Sequence, residues 1–386
     1  MRTISPESVT AANALTARWA ATAGSGDFVL SGAGVWPLLA LLTGAADGPA
    51  RAELEAALGI PAAAAHEGGL RLLELLGSSV DLSAALGFWV RDGVPLRPEW
   101  RASVPTGTVA PLTGQQALDD WARRYTKGLI DRFPLTVDPG TLLVLATALA
   151  ADTEWQTEFR KTTLAPEDGP WRGQRTAGLT RTEPWVTDIA VLDAPTPVTR
   201  LVVRGIGDAD VHLLLGPEQP GAVLEAGIAA LAGTVPVRTG LDADGPGLTR
   251  EEVYGHRQQD SLTVELPHFL VRSQHDLLEH PELFGLRTAL DPTRGHFPGL
   301  SPQPLAVQRG AQGVLAEFGA TGFTAAAVSA FGMRAGSARP ALPPKRTTTA
   351  LRVRFDRPFG FLLVHRVSGL AVVAGWVGTC PGVHSR

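Results

Sequence analysis

The period of the apolar positions changes along the chain. In the first third they recur at helical spacing. Ala12, Leu15 and Trp19 follow a Ser5-Pro6-Glu7 start that combines a hydroxyl cap, a proline in the first turn and an acid near the positive end of the helix dipole. The pattern predicts a helix there, ended by Gly24, then a short strand over Phe28–Leu30. Val35 to Ala46 is apolar nearly all round and reads as a buried helix. Asp47 and Pro49 open another, Ala50–Leu58, which Gly59 closes, and Leu70–Leu76 is a further helical piece. A strand over Ala84–Val90, turned at Asp92-Gly93, precedes an amphipathic helix over Gln115–Phe133 with Leu118, Trp121, Tyr125, Leu129 and Ile130 on its apolar side.

From Leu142 the runs become strand-like. Leu142–Ala151 is continuous enough for a central strand buried on both faces. Further strands are predicted over Ile189–Leu192, Val198–Val203, Val211–Leu215, Leu262–Val271, Leu351–Phe355, Phe359–His365 and Leu370–Val377, with one helix over Ala222–Ala232. Helices early and strands late favour an α+β fold. The stretch Gly313–Phe331 fits neither pattern cleanly. Gly313–Phe318 alternates as a strand. From Gly319 the residues are mostly Gly, Ala and Ser, and no charge appears between Glu317 and Arg334. A surface loop ordinarily carries charge and turn chemistry, so this stretch reads as a conditional strand, small enough to slip into a packed sheet. Gly332–Thr349, with Pro340, Pro343, Pro344 and three threonines, reads as loop.

Composition narrows the function classes. The chain has 386 residues, 44% hydrophobic and 19% charged, and a net charge of −4. That balance does not point to nucleic acid or an anionic membrane as partner. Length alone favours two or three domains. Lys127, Lys161 and Lys345 are the only lysines, an arginine preference that reads as codon usage. Cys380 is the single cysteine, so there is no intrachain disulfide, and any zinc site needing two cysteines of this chain is excluded. The first residues lack the apolar core of a signal peptide and no run reaches the length of a membrane span, so a cytoplasmic location is expected, with export left open.

The common catalytic signatures are missing. There is no G-x-x-x-x-G-K-[ST] and no G-x-S-x-G, and Gly32-Ala33-Gly34 and Gly205-Ile206-Gly207 lack the third glycine of a dinucleotide fingerprint. His275 and His280 stand five apart, a spacing that does not bring two imidazoles to one helix face, and the segment reads as a solvated helix surface. No metal or cofactor is expected.

Several separated segments together resemble the serpin family. Leu143–Leu149 leading to Trp155 and Phe159 is similar to its "LVLxNAIYFKGxWxxxF" strand, Val264–Phe269 to "hxhPKF", and His296–Leu300 to "ADFSGI". Phe355–Phe361 with Gly369, Gly375 and Val377 resembles the C-terminal signature, Ser31 with Leu38–Gly44 the second helix, and Leu118, Asp119, Trp121, Thr126, Gly128 and Ile130 the "IN.WV...T.GKI" helix. The order holds along nearly the whole chain. The resemblance implies one domain over residues 1–386, with three β-sheets, about nine helices and a reactive centre loop at about 320–350, and the chain is expected to be a bacterial, monomeric member.

The family's loop hinge, "VEVNEEGTEAAAATA", lies without a gap against Ala316–Ala330. The resemblance then makes Gly322, Phe323, Thr324, Ala325, Ala326 and Ala327 the hinge. It places the reactive bond at Gly336-Ser337, or at Met333-Arg334 if Glu317-x-Gly319 is the hinge instead. Arg334 would direct the loop to trypsin-like proteases if it sets specificity; otherwise it and its basic neighbours keep an exposed loop soluble. Trp155 is expected at the top of the sheet where the loop inserts, or as simple core filling. Ser31, Thr147 and Gln312 fall on the polar cluster beneath the main sheet; Gly34, Thr147 and Gln312 depart from the family's usual Ser, Asn and His. Ala320, Phe323 and Val328 depart from the usual acid, Thr and Ala. A Phe at 323 should point into the core face and demand a cavity or slow insertion, since overpacking costs roughly 1–3 kcal/mol.

The implied function is inhibition of a serine protease, trypsin-like or subtilisin-like, by a suicide mechanism. The protease cuts the loop, and the loop's first half inserts into the main sheet. The alternatives are a non-inhibitory serpin that binds a small ligand or protein partner, and a serpin scaffold recruited as a biosynthetic enzyme.

Overall fold

The computed structural model describes residues 4–125, 132–133, 135–138, 140–217, 219–256, 258–324 and 345–382. The chain opens with α1 (Pro6–Thr22), capped by the Ser5 hydroxyl accepting from the Ser8 N–H. It continues through β1 (Phe28–Leu30) to α2 (Gly32–Thr43), every residue of which is buried. This second helix starts three residues before the predicted Val35, because the Ser31 hydroxyl accepts from the Gly34 N–H and caps it there. The next helix, α3 (Gly48–Leu58), ends on Gly59 at φ +76°. The predicted piece at Leu70–Leu76 belongs to a longer helix, α4 (Ala62–Ser78). Its Gly68 and Gly69 do not break it; they let it approach α1 and α2, since a Cβ on Gly68 would lie 2.4 Å from Ser8 Oγ and one on Gly69 3.0 Å from Ala40 Cβ.

After these come β2 (Leu82–Val90), α5 (Pro98–Ser103), β3 (Val109–Pro111), α6 (Gln115–Tyr125), β4 (Leu143–Glu154), β5 (Arg160–Leu164) and β6 (Thr176–Glu183). Then follow β7 (Ile189–Leu192), β8 (Val198–Arg204), β9 (Ala209–Leu215), α7 (Pro220–Leu231), β10 (Val237–Thr239), β11 (Leu248–Gly255), β12 (Ser261–Pro267) and β13 (Phe269–Asp276). The last strands are β14 (Arg309–Phe318), β15 (Gly322–Thr324), β16 (Arg346–Arg354), β17 (Phe359–His365) and β18 (Leu370–Val377). Among the described residues there are seven α-helices, where about nine were expected, and four short 3-10 turns. The fold is mixed α+β around three sheets. Their strand orders are β1-β18-β17-β9-β8-β7-β10, β11-β16-β12-β6-β5 and β13-β14-β15-β4-β2-β3.

Three expectations are corrected, and a fourth lies partly outside the described residues. The run Leu262–Val271 is two strands in two sheets. The ladder of β12 with β6 ends at Pro267 opposite Gly178, the His268 N–H turns to Ala177 O, and β13 pairs instead with β14. Thr347–Thr349 are not loop but part of β16, which is bonded by β11 on one edge and β12 on the other. His275 is not on a helix surface: it lies in β13, its Nε2 shares a 2.8 Å hydrogen bond with Val29 O, and its ring packs on Trp19. The amphipathic helix is described to Tyr125; residues 126–131 lie outside the described residues.

Burial holds three histidines below the usual imidazole range. His212 is pushed down to about 3, by desolvation first and the nearby Arg200 charge second. His275 and His365 are lowered by desolvation too. Each takes up a proton less readily in the fold than when unfolded, so the stability they contribute is complete above pH 6.5 and is lost as pH falls below it, for His212 down towards about 3. The expected result is a melting temperature that drops steadily between pH 6.5 and 4. His212→Gln should flatten the slope by up to about 1.4 kcal/mol per pH unit; an unchanged slope in the variant would show that His212 does not carry it.

Candidate functional site

Two strands of the six-stranded sheet run parallel but stay together only at one end. Arg309–Gly313 of β14 pair with Val144–Ala148 of β4, and there the ladder stops. Further up, β15 lies between them, antiparallel to both. Gly322, Phe323 and Thr324 face Glu154, Thr153 and Asp152 on one side, while Phe323 and Thr324 face Phe318 and Glu317 on the other. The parted strands are thus wedged open by the first residues of the loop that follows them.

The turn that delivers this wedge is held at every carbonyl. Gly319 O accepts from the Trp155 indole N–H at 3.0 Å, Ala320 O from Phe159 N–H at 2.8 Å and Thr321 O from Trp155 N–H at 2.9 Å. The Gly319 N–H closes the turn on Gly322 O at 2.9 Å. Gly322 has to be glycine here, since a Cβ would sit 2.3 Å from Thr153 O. Trp155 therefore does more than fill the core, because both its nitrogens hold the turn.

Phe323 is 1% exposed, its ring 6.1 Å from that of Phe361. Beside it Phe318 packs on Trp155 at 4.7 Å and stacks on Phe269 at 5.4 Å and 24°. Phe269 in turn touches Phe359 and Phe361. The overpacking expected of a Phe at 323 does not arise at this position, because an aromatic cluster already forms its seat. Sequence reading also missed Arg181 and Glu183. They lie on β6 with side chains 5% and 4% exposed, 3.2 Å apart. The Arg181 guanidinium covers the Phe159 ring at 4.4 Å and donates to Thr157 O. Burial pushes the Glu183 carboxyl up and the Arg181 guanidinium down from their usual ranges, and their mutual attraction pulls each partly back. Charged residues alternating along a strand read as a solvated face, so periodicity carried no signal for this pair.

Lower in the gap, the expected polar residues meet. Gln312 Oε1 accepts from Ser31 N–H at 2.9 Å, and its Nε2 donates to Ser31 O at 2.9 Å and Thr147 Oγ1 at 3.2 Å. The Ser31 hydroxyl donates to Val372 O at 2.6 Å and so ties the sheet to the strand behind it. Replacing Gln312 by Leu leaves buried groups without partners, and chemical denaturation should register a loss of roughly 1–3 kcal/mol. Equal stability would show that these bonds contribute nothing net. Ala325, Ala326 and Ala327, and both candidate reactive bonds, Gly336-Ser337 and Met333-Arg334, lie outside the described residues.

The chain is a three-sheet α+β fold in which β4 and β14 of the six-stranded sheet pair at one end and are separated by β15 at the other. A sequence model of the serpin family (serine protease inhibitor) matches residues 8–168 and 236–379, and the chain belongs to that family. Among solved structures it is similar to native protease nexin-1 with heparin, at 16% identity and TM-score 0.70, covering 98% of this chain and all of that one. It is also similar to thyroxine-binding globulin in complex with thyroxine, at 16% and 0.72, covering 97% and 99%. The native state of tengpin, a thermophilic serpin, matches at 16% and 0.71, covering 97% and 94%. At such identities the likeness is one of fold. No curated protein matches the chain by sequence.

Proposed function

We propose that this serpin inhibits a serine protease of trypsin-like or subtilisin-like type, as a single-use substrate whose cut loop inserts between β4 and β14. The observation that carries the reading is the seated β15, which starts the inserted strand in register with both neighbours. Connectivity supports cleavage as the trigger. The loop's far end is β16, bonded to β11 from Leu248 through Gly255 and to β12 from Ser261 through Glu265. A loop held at both ends cannot move far into the gap; a cut between them frees its first half. Continued in the register of β15, residues 325–332 would run opposite Ala151 to Val144 on β4 and Ala316 to Arg309 on β14. Ser329 would then stand between Thr147 and Gln312, on the same face as Phe323, and offer a hydroxyl to the polar cluster. The arginine-rich composition supports a bacterial source.

The test is to incubate the protein with a panel of trypsin- and subtilisin-like proteases and look for a covalent complex that survives detergent. Clean cleavage of the loop by every protease, with no complex, would overturn inhibition and leave a serpin that binds rather than traps its partner.

A further inference from the structure

The turn at 319–321 hangs from a segment with little regular structure of its own. Residues 155–159 join β4 to β5, and among the described residues their one ladder contact is the isolated bridge of Trp155 to Gly205. The first part of the segment is tied down through Gln156, whose N–H donates to Arg204 O and whose Nε2 donates to Gly205 O, each at 3.0 Å. The second part is tied down by Arg181. Its Nη1 donates to Thr157 O at 2.7 Å, and the guanidinium lies 4.4 Å over the Phe159 ring. Phe159 gives its N–H to Ala320 O and packs its ring on Phe318 at 5.6 Å. Arg181 thus holds the residue that holds the turn.

The backbone of Arg181 belongs to the sheet at the loop's far end. Arg181 pairs with Val264 on β12, and Val264 pairs with Val353 on β16, the strand into which the loop runs. It stands just beyond the reach of β5, whose ladder with β6 ends with Arg160 opposite Thr180. The side chain therefore joins the sheet that anchors the end of the loop to the segment that anchors its beginning.

An arginine is a costly way to fill this space. Its side chain is 5% exposed, its Nε has no partner among the described residues, and its charge is paired with the buried Glu183 carboxylate at 3.2 Å. A buried ion pair is often no more stabilising than apolar side chains of similar volume, and its best-attested use is to fix a register. The planar guanidinium fork fits that use, because it bonds Thr157 O and Glu183 Oε1 at once while covering a ring.

We infer that Arg181, fixed by Glu183, is a positioning residue of the trap: it holds Thr157 and Phe159 so that the turn at 319–321 delivers β15 in register and insertion starts as soon as the loop is cut. The inference rests on the inhibitory reading above. On cutting, the protease's serine oxygen replaces the amide nitrogen on the loop carbonyl, and the nitrogen leaves with the serine's proton as the amine of the far half. Water can then replace the serine oxygen, which returns active protease and leaves the loop with a free carboxylate. Insertion competes with that water, so a looser start means fewer proteases trapped per loop cut.

The double variant Arg181→Met with Glu183→Leu removes both charges and keeps apolar bulk against Phe159. It is expected to melt no lower than the parent. The Trp155 and Phe159 amide hydrogens should nonetheless exchange about tenfold faster, with those of β17 and β18 unchanged. With a protease that the parent traps, the variant should trap about three- to tenfold fewer per loop cut, the factor that one net hydrogen bond is worth. Arg181→Lys keeps the charge but not the planar fork, so it should fall between the two, and it serves as the test if the double variant does not fold. Unchanged exchange at Trp155 and Phe159, or exchange that quickens equally in β17 and β18, would overturn the positioning role. Faster exchange confined to Trp155 and Phe159 with unchanged trapping would overturn the link to insertion. If the parent traps no protease, the inhibitory reading fails on its own, and the exchange rates still decide what Arg181 holds.

Discussion

Cutting the loop at Met333-Arg334 or Gly336-Ser337 is expected to raise the melting temperature by roughly 10 °C or more. The estimate comes from the gap. Insertion of residues 325–332 exchanges the single ladder of β14 with β4 for two ladders, one on each side of the new strand. Each added residue nets roughly 1 kcal/mol from its hydrogen bonds, so the gain is of order 8–10 kcal/mol. A chain of this length shifts by about 1 °C per kcal/mol. Continued in the register of β15, Ser329 would arrive where Thr147 and Gln312 now bond each other. Ser329→Val should therefore cut the rise by an amount equivalent to about 1–3 kcal/mol. Calorimetry of intact and cut protein decides the matter; an unchanged melting temperature after cutting would mean that the loop stays outside the sheet.

Phe323→Ala is expected to destabilise the intact protein by roughly 3–5 kcal/mol, the usual cost of emptying a buried Phe site. The ring is 1% exposed and sits in a ready-made aromatic seat. Its loss removes the main apolar anchor of β15, leaving the wedge held by two short ladders and the bonds from Trp155 and Phe159. Proteolysis should then cut closer to Gly322 than in the parent. A variant as stable as the parent, with an unchanged cleavage pattern, would contradict the seat described for this ring. The same geometry changes the meaning of Phe323 for insertion. An unseated Phe would have to force a cavity as the strand moved in, whereas one already placed in the core adds no such barrier.

How much of this was legible beforehand follows from the range of the interactions. Caps and turns depend on residues a few positions apart, so Ser5, Asp47 and Gly59 marked their helix ends correctly. Of the stretch after Gly319, Gly322–Thr324 lie in the sheet, while the alanines that suggested a strand fall outside the described residues. Other features needed a partner distant in the chain. Gly68 and Gly69 look like helix breakers until α1 and α2 are set against them. Leu262–Val271 looks like one strand because both its halves are apolar; only the choice of neighbours, β6 for one and β14 for the other, divides it. Arg181 looks solvated until Phe159 and Thr157 are set against it, and Glu183 until Arg181 is.

The amino-acid sequence by itself determined the α+β class, the family pattern and the small-residue loop, because periodicity, capping and composition act locally. Tertiary structure alone decided that β4 and β14 are parted, that Gly322–Thr324 already hold them apart, and that Phe323 is an anchor where it looked like an obstacle. The physical reason is that a buried aromatic is favourable or costly according to whether a space awaits it. Here Phe323 meets Phe361, which packs on Phe269 and through it on Phe318, rings brought together from three different strands.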